Sequence, residues 1–329
     1  MLTYAAGLLM LTVKLGLVLG VLLFVAAYLV WVERKFLARL QVRYGPNRAG
    51  IFGLLQPIAD SLKMLTKEDT VPEDADRIVF LLAPAVVALT ALLMFAVVPF
   101  GGTVTLWGRE IPMVISDINV GLLYIFALSS LGVYGIALGG WASNSKFALL
   151  GGIRGAAQLI SYELALGLSL VPVVMLAGSF SLVDIVSAQA VGGPFIYYQP
   201  LAFIIFAIAA AAESMRIPFD LPEAENELGA GFHMEYSGMR FGLFFIGEYV
   251  HIQVLGALIA VFFLGGWHGP FLPGPVWLLI KILLVSLFMI WMRGTLPRLR
   301  YDQLMAIGWK VLIPLALVNI VITGAVILI

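Results

Sequence analysis

Long runs of apolar residues dominate the hydropathy pattern of this chain, and short polar stretches separate them. A helix needs about 20 apolar residues to cross a bilayer whose hydrocarbon core is roughly 30 Å thick. The pattern therefore predicts an all-α fold, a polytopic membrane helix bundle with about eight transmembrane helices. The fifth span is the weakest because Pro194 and Pro200 lie near its start. The predicted spans are about 6–32, 78–99, 118–141, 158–178, 195–212, 240–264, 275–292 and 309–328.

A different pattern follows the first span, where large apolar residues recur at helical spacing and polar residues occupy the other faces. It predicts an amphipathic helix over about 51–66 that lies at the cytoplasmic membrane surface. The alternative interpretation is that this interfacial helix only packs against its surroundings and has no further role. With no internal repeat, the chain is expected to form a single integral membrane domain over 1–329. The apolar positions are Ile51, Leu54, Leu55, Ile58, Leu62 and Leu65.

Lysine and arginine residues fall unevenly on the two sides that these spans define. Of the 19 in the chain, 16 lie on the side of the long connection 33–77, Arg109 lies on the other, and Lys14 and Lys281 lie inside spans. Because loops rich in lysine and arginine stay in the cytoplasm, the count predicts that both termini lie on the non-cytoplasmic side. The connection 213–239 is then cytoplasmic.

Composition narrows the chemistry further. The chain is 62% hydrophobic and 12% charged, whereas soluble domains average about 25% charged residues. It contains no cysteine, so it has no thiolate for an iron–sulfur cluster, and its three histidines are too few for a haem or metal cage. We expect no metal site, no resident cofactor and no nucleic-acid partner in this chain.

The connection 213–239 combines carboxylates with large apolar residues, which is unusual for a solvated loop. This mixture predicts a folded, partly buried segment whose acids hold and release protons. A solvated acidic turn that docks a basic partner is a second interpretation, and the two are compatible. The carboxylates are Glu213, Asp220, Glu223, Glu225, Glu227 and Glu235, and Arg216 is the fixed positive charge among them.

Two further acids, Glu163 and Glu248, lie inside predicted spans. They sit roughly 8 and 12 Å from the cytoplasmic ends of their helices at 1.5 Å per residue. A charge in the bilayer core costs at least about 2.5–3.5 kcal/mol, so such residues usually face an interior cavity and mark ion or proton paths. A structural hydrogen bond between helices is the alternative for each acid.

Four segments resemble the H-subunit family of respiratory complex I, the proton-pumping NADH:quinone oxidoreductase. The resemblance covers essentially the whole chain in the same order, and the longest motif is highly specific. It implies an integral membrane protein of the bacterial cytoplasmic (inner) membrane. The segments are ERKFLARLQVRYGPNRAG (33–50), LLQPIADSLKML (54–65), ESMRIPFDLPEAENELGAGFHMEYSGM (213–239) and RGTLPRLRYDQLM (293–305).

The resemblance also implies roles for individual residues. Quinone would enter from the lipid through a tunnel framed by the first span, the amphipathic helix and the sixth span. The chamber residues would be Arg34, Arg43, Asp60, Ala59 and Phe232. Acids would lead protons away from the chamber through Glu163, Glu213, Glu223, Glu225, Glu227 and Glu248. Partner subunits would dock on Arg39, Arg216, Arg298 and Arg300.

In such a complex this chain holds no complete active site, and quinone is the substrate that it helps to bind. FMN and iron–sulfur clusters are expected on peripheral-arm subunits, and antiporter-like membrane subunits are expected beside it in the lipid. A related component of a membrane-bound hydrogenase or of a complex fed by another donor remains an alternative, as does a free-standing cation/proton antiporter. The motif match favours the quinone reductase over the antiporter.

Overall fold

The computed structural model describes residues 2–106 and 109–328, with the side chains of residues 2–6, 8, 106, 109 and 225 left out. Its helices are α1 (Leu2–Leu40), α2 (Gln56–Thr66), α3 (Arg77–Met94), α4 (Gly121–Ala142), α5 (Lys146–Ala177), α6 (Leu182–Gly192), α7 (Pro200–Glu213), α8 (Glu225–Leu228), α9 (Gly238–Phe263), α10 (Gly274–Thr295), α11 (Tyr301–Ala306) and α12 (Ile313–Leu328). A hairpin of β1 (Thr103–Leu106) and β2 (Arg109–Pro112) joins α3 to α4.

The prediction of an all-α membrane bundle is confirmed. Within the described residues, seven helices are long and apolar enough to cross a bilayer: those over 9–40, 77–97, 121–142, 146–177, 238–263, 274–295 and 301–328. The predicted span at 195–212 corresponds to α7, which has 14 residues. At 1.5 Å per residue α7 is about 21 Å long, too short to cross the hydrocarbon core unaided.

Helix α9 lies at the centre of the bundle. Of its most apolar stretch, 78% is buried inside the protein, against 17% for α1 at the periphery. It contacts α1, α3, α7 and α10, and its residues from Ile252 to Phe263 are buried without interruption. Among the seven long helices its apolar stretch is the least hydropathic, because Glu248, His251 and Gln253 lie within it. Polar side chains are costly in lipid, so this helix is more stable inside the protein than at the lipid surface.

The connections predicted to be cytoplasmic converge at one end of the bundle, which we call the basic end. It comprises residues 41–76, 143–145, 214–237 and 296–300. Contacts between distant parts of the chain join these connections. They are the hydrogen bonds from Asp76 N to Ala142 O (3.2 Å), from Leu299 N to Pro218 O (3.0 Å) and between the hydroxyls of Thr70 and Ser237 (3.0 Å).

The connections at the opposite end are also tied together. Lys14 and Lys281, which the sequence places inside spans, donate to backbone carbonyls there. Lys14 Nζ lies 2.6 Å from Pro112 O, and Lys281 Nζ binds the carbonyls of Leu264, Gly266 and His268 at 2.7–2.8 Å. Lys281 thereby caps the end of α9, where the unpaired carbonyls favour a cation.

Three local features differ from the sequence expectations. Helix α1 continues through the basic run to Leu40 instead of ending near residue 32. The amphipathic helix begins at Gln56, after a separate 3-10 turn over Ile51–Gly53. The last span contains a π-helical stretch over Ile307–Leu312, packed beside Tyr162 of α5.

Candidate functional site

The acidic segment 213–239 is folded against α5. The amide of Gln158 on α5 donates to Ala212 O at 2.7 Å and to Phe219 O at 2.8 Å. Gly231 adopts a positive φ of 66° and packs directly on the Pro222 carbonyl, which leaves no room for a side chain. Because the segment supplies its own buried apolar residues, the carboxylates of Glu213, Asp220 and Glu223 are held in a partly dry environment.

A cavity of about 60 Å³ lies between this segment, α4 and α9. At roughly 15 Å³ per water molecule, it has room for on the order of four. Carboxylates from three separate elements line it, together with two imidazoles and many apolar side chains. The polar lining residues are Thr90, Ser129, Ser214, Glu213, Glu223, Glu248, His233 and His251.

Two adjacent serines of α4 hold two of the predicted acids. Ser129 Oγ donates to Glu213 Oε1 at 2.6 Å, and Ser130 Oγ donates to Glu163 Oε1 at 2.7 Å. Glu213 ends α7 and is buried, and His251 Nε2 lies 3.4 Å from the same oxygen. Glu163 lies outside the cavity but within electrostatic reach of Glu213. The structure thus brings together two acids that are 50 positions apart in the sequence.

Glu223, in the acidic segment, lies beside the cavity with His233, whose Nδ1 is 3.8 Å from Glu223 Oε1. Burial raises the pKa of Glu223 well above its ordinary value, and the carboxylates of Glu248 and Asp220 raise it further. Burial lowers the pKa of His233 to about 4. At neutral pH the imidazole is therefore neutral, and the shift at Glu223 favours its protonated form.

A cluster of buried charges lies where α1, α9 and α10 meet the acidic segment. The Arg216 guanidinium contacts Glu33 at 3.1 Å, pairs with Glu248 and stacks on the ring of Tyr249. Glu33 also pairs with Arg293 and accepts a hydrogen bond of 2.8 Å from the Tyr249 hydroxyl. Two carboxylates and two guanidiniums thus compensate one another, with Glu33, Arg216 and Glu248 largely buried and Arg293 partly exposed. Glu248 belongs both to this cluster and to the cavity.

An open hollow of about 740 Å³ lies at the basic end, between the end of α1 and the start of α2. Arg34, Arg43, Arg48, Tyr44 and Gln56 line it. Arg34 pairs with Asp60 at 2.7 Å, and Gln56 donates to the other oxygen of Asp60 at 2.8 Å. Three of the residues predicted for the quinone chamber, Arg34, Arg43 and Asp60, therefore lie together here.

The other two residues predicted for the chamber lie elsewhere. Ala59 is exposed on α2 beside Asp60, and the apolar stripe of α2 also faces away from the bundle. Phe232 is buried and lines the cavity that contains Glu213, Glu223 and Glu248, with its ring against His233 and Phe244. Its motif is contiguous with the acids, and the packing of Gly151 against residues 231 and 232 holds it beside α5, away from the hollow.

The remaining predicted acids differ in position. Glu227 is at the surface, where it pairs with Arg154 at 2.7 Å, so it is not among the buried acids around the cavity. The side chain of Glu225 lies outside the described residues. Helix α8 begins only at Glu225, so Glu223 and Glu227 do not share a helix face.

Of the arginines predicted to dock partners, Arg39 and Arg300 are exposed. Arg298 pairs with Asp220 at 2.9 Å, and burial raises the pKa of Asp220 although Arg298 opposes that shift. Arg216 does not fit the docking role, because its side chain is buried and bound to Glu33 and Glu248.

Sequence reasoning missed Glu33, Tyr249 and His233 as site residues. Glu33 carried a signal, since it is the acid that opens a run of cations at the end of the first span. His233 carried another, because it lies inside the acidic segment. Tyr249 follows an intramembrane acid in the sequence, but only the packing of α9 against α1 reveals its bond to Glu33.

Comparisons with known proteins agree on one family. The family model for NADH dehydrogenase matches residues 13–324. The chain is 77% identical to the second NADH-quinone oxidoreductase H subunit of Syntrophobacter fumaroxidans over 99% of this chain and 98% of the relative. It is 64% identical to the corresponding H subunit of Syntrophotalea carbinolica (97% and 96% covered) and 55% identical to that of Thermomicrobium roseum (98% and 95%).

Proposed function

Since the chain belongs to the NADH dehydrogenase family, among the H subunits of NADH-quinone oxidoreductase, we propose that it couples quinone reduction to proton translocation. In this proposal the chain frames the entry route of the quinone at the basic end. Its buried carboxylates carry the protons that the reaction sets in motion. In this proposal the electrons come from FMN and iron–sulfur clusters on partner subunits. The chain itself has no cysteine to ligate a cluster, which is compatible with that division.

The observation that carries the proposal is the cavity between the acidic segment, α4 and α9. Glu213, Glu223 and Glu248 all line it, and its volume allows a short chain of water molecules. Burial and the neighbouring carboxylates raise the pKa of Glu223, so this group exchanges its proton nearer to neutral pH than an exposed acid does. From Glu213 the path continues to Glu163 through the neighbouring serines of α4.

The cluster of Glu33, Arg216, Glu248 and Arg293 supplies the connection to the quinone side. Arg216 is shared between Glu33 and Glu248. A change in charge near the basic end shifts this sharing, and Glu248 then gains or releases a proton to the cavity. Because these groups interact strongly, the titration belongs to the whole set and not to a single residue.

The hollow lined by Arg34, Arg43 and Gln56 is the proposed quinone side of the chain. Quinone reduction adds two electrons and two protons, and the reduced headgroup carries negative charge until the protons arrive. Arginines near the route favour that charge. The exposed apolar stripe of α2, which includes Ile58 and Leu62, would border the path of the isoprenoid tail from the lipid.

We further propose that the basic end faces the bacterial cytoplasm, with both termini on the other side of the membrane. The lysine and arginine count supports this orientation. Peripheral-arm subunits would then cover the basic end, where Arg39 and Arg300 are exposed, and antiporter-like subunits would contact the lipid-facing helices.

The test compares Glu163→Gln, Glu213→Gln and Glu248→Gln in membranes that hold equal amounts of the complex. Glutamine preserves size and hydrogen-bonding reach but does not titrate. We expect quinone-coupled turnover and proton-gradient formation to fall together, by about tenfold or more, because a positioned acid–base group contributes at least that much. Glu110→Gln, at the exposed hairpin of the opposite end, is the matched control.

Wild-type turnover and pumping in all three variants would contradict the proton role and leave these acids as structural hydrogen-bond partners. A loss of pumping with normal electron transfer would support the role of these acids in proton transfer but contradict its coupling to quinone reduction.

A further inference from the structure

Two histidines line the same cavity as the three acids, and each lies beside a different carboxylate. His233 Nδ1 is 3.8 Å from Glu223 Oε1, and His251 Nε2 is 3.4 Å from Glu213 Oε1. They come from different elements, because His233 ends a 3-10 turn of the acidic segment and His251 lies in the middle of α9. The cavity therefore contains two carboxylate–imidazole pairs.

Aromatic rings surround His233, and no residue that the structure describes forms a hydrogen bond with its nitrogens. The rings of Phe232, Phe241 and Phe245 contact the imidazole at centroid distances of 5.0–6.4 Å. Glu223 is the carboxyl group beside it, and Glu213 and Glu248 line the same cavity. The low pKa of about 4 agrees with a ring that stays neutral at physiological pH. A neutral imidazole has one donor and one acceptor nitrogen.

His251 occupies the matching position beside Glu213. It lies one helical turn after Glu248 on α9, and Glu163 lies within electrostatic reach of it. Glu213 Oε1 already accepts a hydrogen bond from Ser129, so His251 approaches an oxygen whose position is fixed. Glu213 Oε2 has no hydrogen-bond partner among the described residues.

We propose that His233 and His251 transfer protons between the cavity water and their neighbouring carboxylates, Glu223 and Glu213. This inference rests on the proposed function and adds two residues to it. An ionised carboxylate only accepts hydrogen bonds, whereas a neutral imidazole both accepts and donates, so it can pass a proton onward.

The transfer at His233 conserves protons at every step. Protonated Glu223 gives its proton to Nδ1, and the ring releases the proton on Nε2 to a cavity water, which leaves Glu223 ionised and the ring neutral. Exchange with cavity water restores the first tautomer. At 3.8 Å the two atoms are too far apart for a direct hydrogen bond, so a side-chain rotation or one bridging water closes the gap. His251 acts in the same way toward Glu213.

The experiment uses the complete complex in sealed membrane vesicles, with His233→Gln, His251→Gln and His268→Gln at equal abundance. His268, at the opposite end of the bundle, is the matched control and should behave like the wild type. We expect the two cavity variants to pump roughly tenfold more slowly, because a positioned proton-transfer group contributes at least that much.

A second pair of variants separates proton transfer from packing. His233→Ala and His251→Ala leave a space in which added imidazole should restore pumping in a concentration-dependent way. Loss of pumping without rescue assigns the two residues a packing role and overturns the proposal. Wild-type pumping in both glutamine variants also overturns it. Glu213→Gln tested alongside distinguishes the two failures, because the proposed function itself fails only if that variant pumps normally.

Discussion

Replacement of Arg216 by methionine tests whether the positive and negative charges of the buried cluster stabilise one another. Methionine has a similar length and no charge, so the change removes the guanidinium with little change in volume. It leaves Glu33 with Arg293 and Tyr249 but deprives Glu248 of its ion-pair partner. Glu248 is almost fully buried, so its unpaired charge has no access to bulk water.

The expected cost follows from this imbalance. Breaking a buried ion pair by removing one partner costs about 3–5 kcal/mol, mostly through the uncompensated charge that remains. Adding Glu248→Gln removes that remaining charge. The double variant should therefore be less destabilised than the sum of the two single variants, with a coupling energy of about 1–3 kcal/mol for groups in contact.

Thermal unfolding of the purified complex, followed by tryptophan fluorescence, measures the effect. Arg77→Met, an exposed arginine at the start of α3, is the control for loss of a positive charge at the basic end. Arg216→Met should lower the unfolding temperature markedly, and Glu248→Gln should partly restore it in the double variant. Additive losses in the double variant would refute the reasoning, because they would show that Arg216 and Glu248 do not compensate each other.

The remaining predictions concern His233 and Ala59. Because the pKa of His233 falls from 6.5 to about 4 on folding, its contribution to stability is complete above pH 6.5 and is lost as the pH falls through 4. Between pH 7 and pH 5 the loss is about 2 kcal/mol, and hydrogen-exchange protection in residues 213–239 should show a pH dependence that His233→Gln lacks. Ala59→Phe should slow the reduction of long-tailed quinones more than that of short-tailed analogues if α2 borders the tunnel, and equal slowing would contradict that position.

Much of the architecture was predictable because hydropathy alone places a helix in a bilayer. Backbone groups in lipid must bond internally, so every long apolar run became a helix. The weak fifth span illustrates the limit. Helix α7 is only 14 residues long, and its shortness follows from Pro200 at its first position and from the sharp turn after Glu213. The strands β1 and β2 and the helix α6 had no signal of comparable strength in the sequence.

The sequence allowed us to predict which acids belong to the site but not which side chains bind them. The acids at 163, 213, 223 and 248 could be singled out because carboxylates are rare and costly in apolar surroundings. Their partners could not, because Ser129, Ser130 and Glu33 lie far away in the sequence and look ordinary there. Arg216 was misassigned for the same reason, since a loop arginine gives no sign of burial before the packing of α1 and α10 is known.

Helix α9 connects the charge cluster, on the proposed quinone side, to the cavity in the bundle, so that the two can affect each other. Glu248 and Tyr249 belong to the charge cluster, and His251 follows at about 4.5 Å along the same helix axis, facing Glu213. Because α9 is buried along most of its length, it is poorly placed to slide or bend, and the low dielectric around it strengthens interactions between charges. Coupling by a change in proton occupancy at Glu248 therefore needs no large helix movement. It needs only a change in how closely the Arg216 guanidinium pairs with Glu33 and with Glu248, and water in the cavity that can deliver or remove one proton.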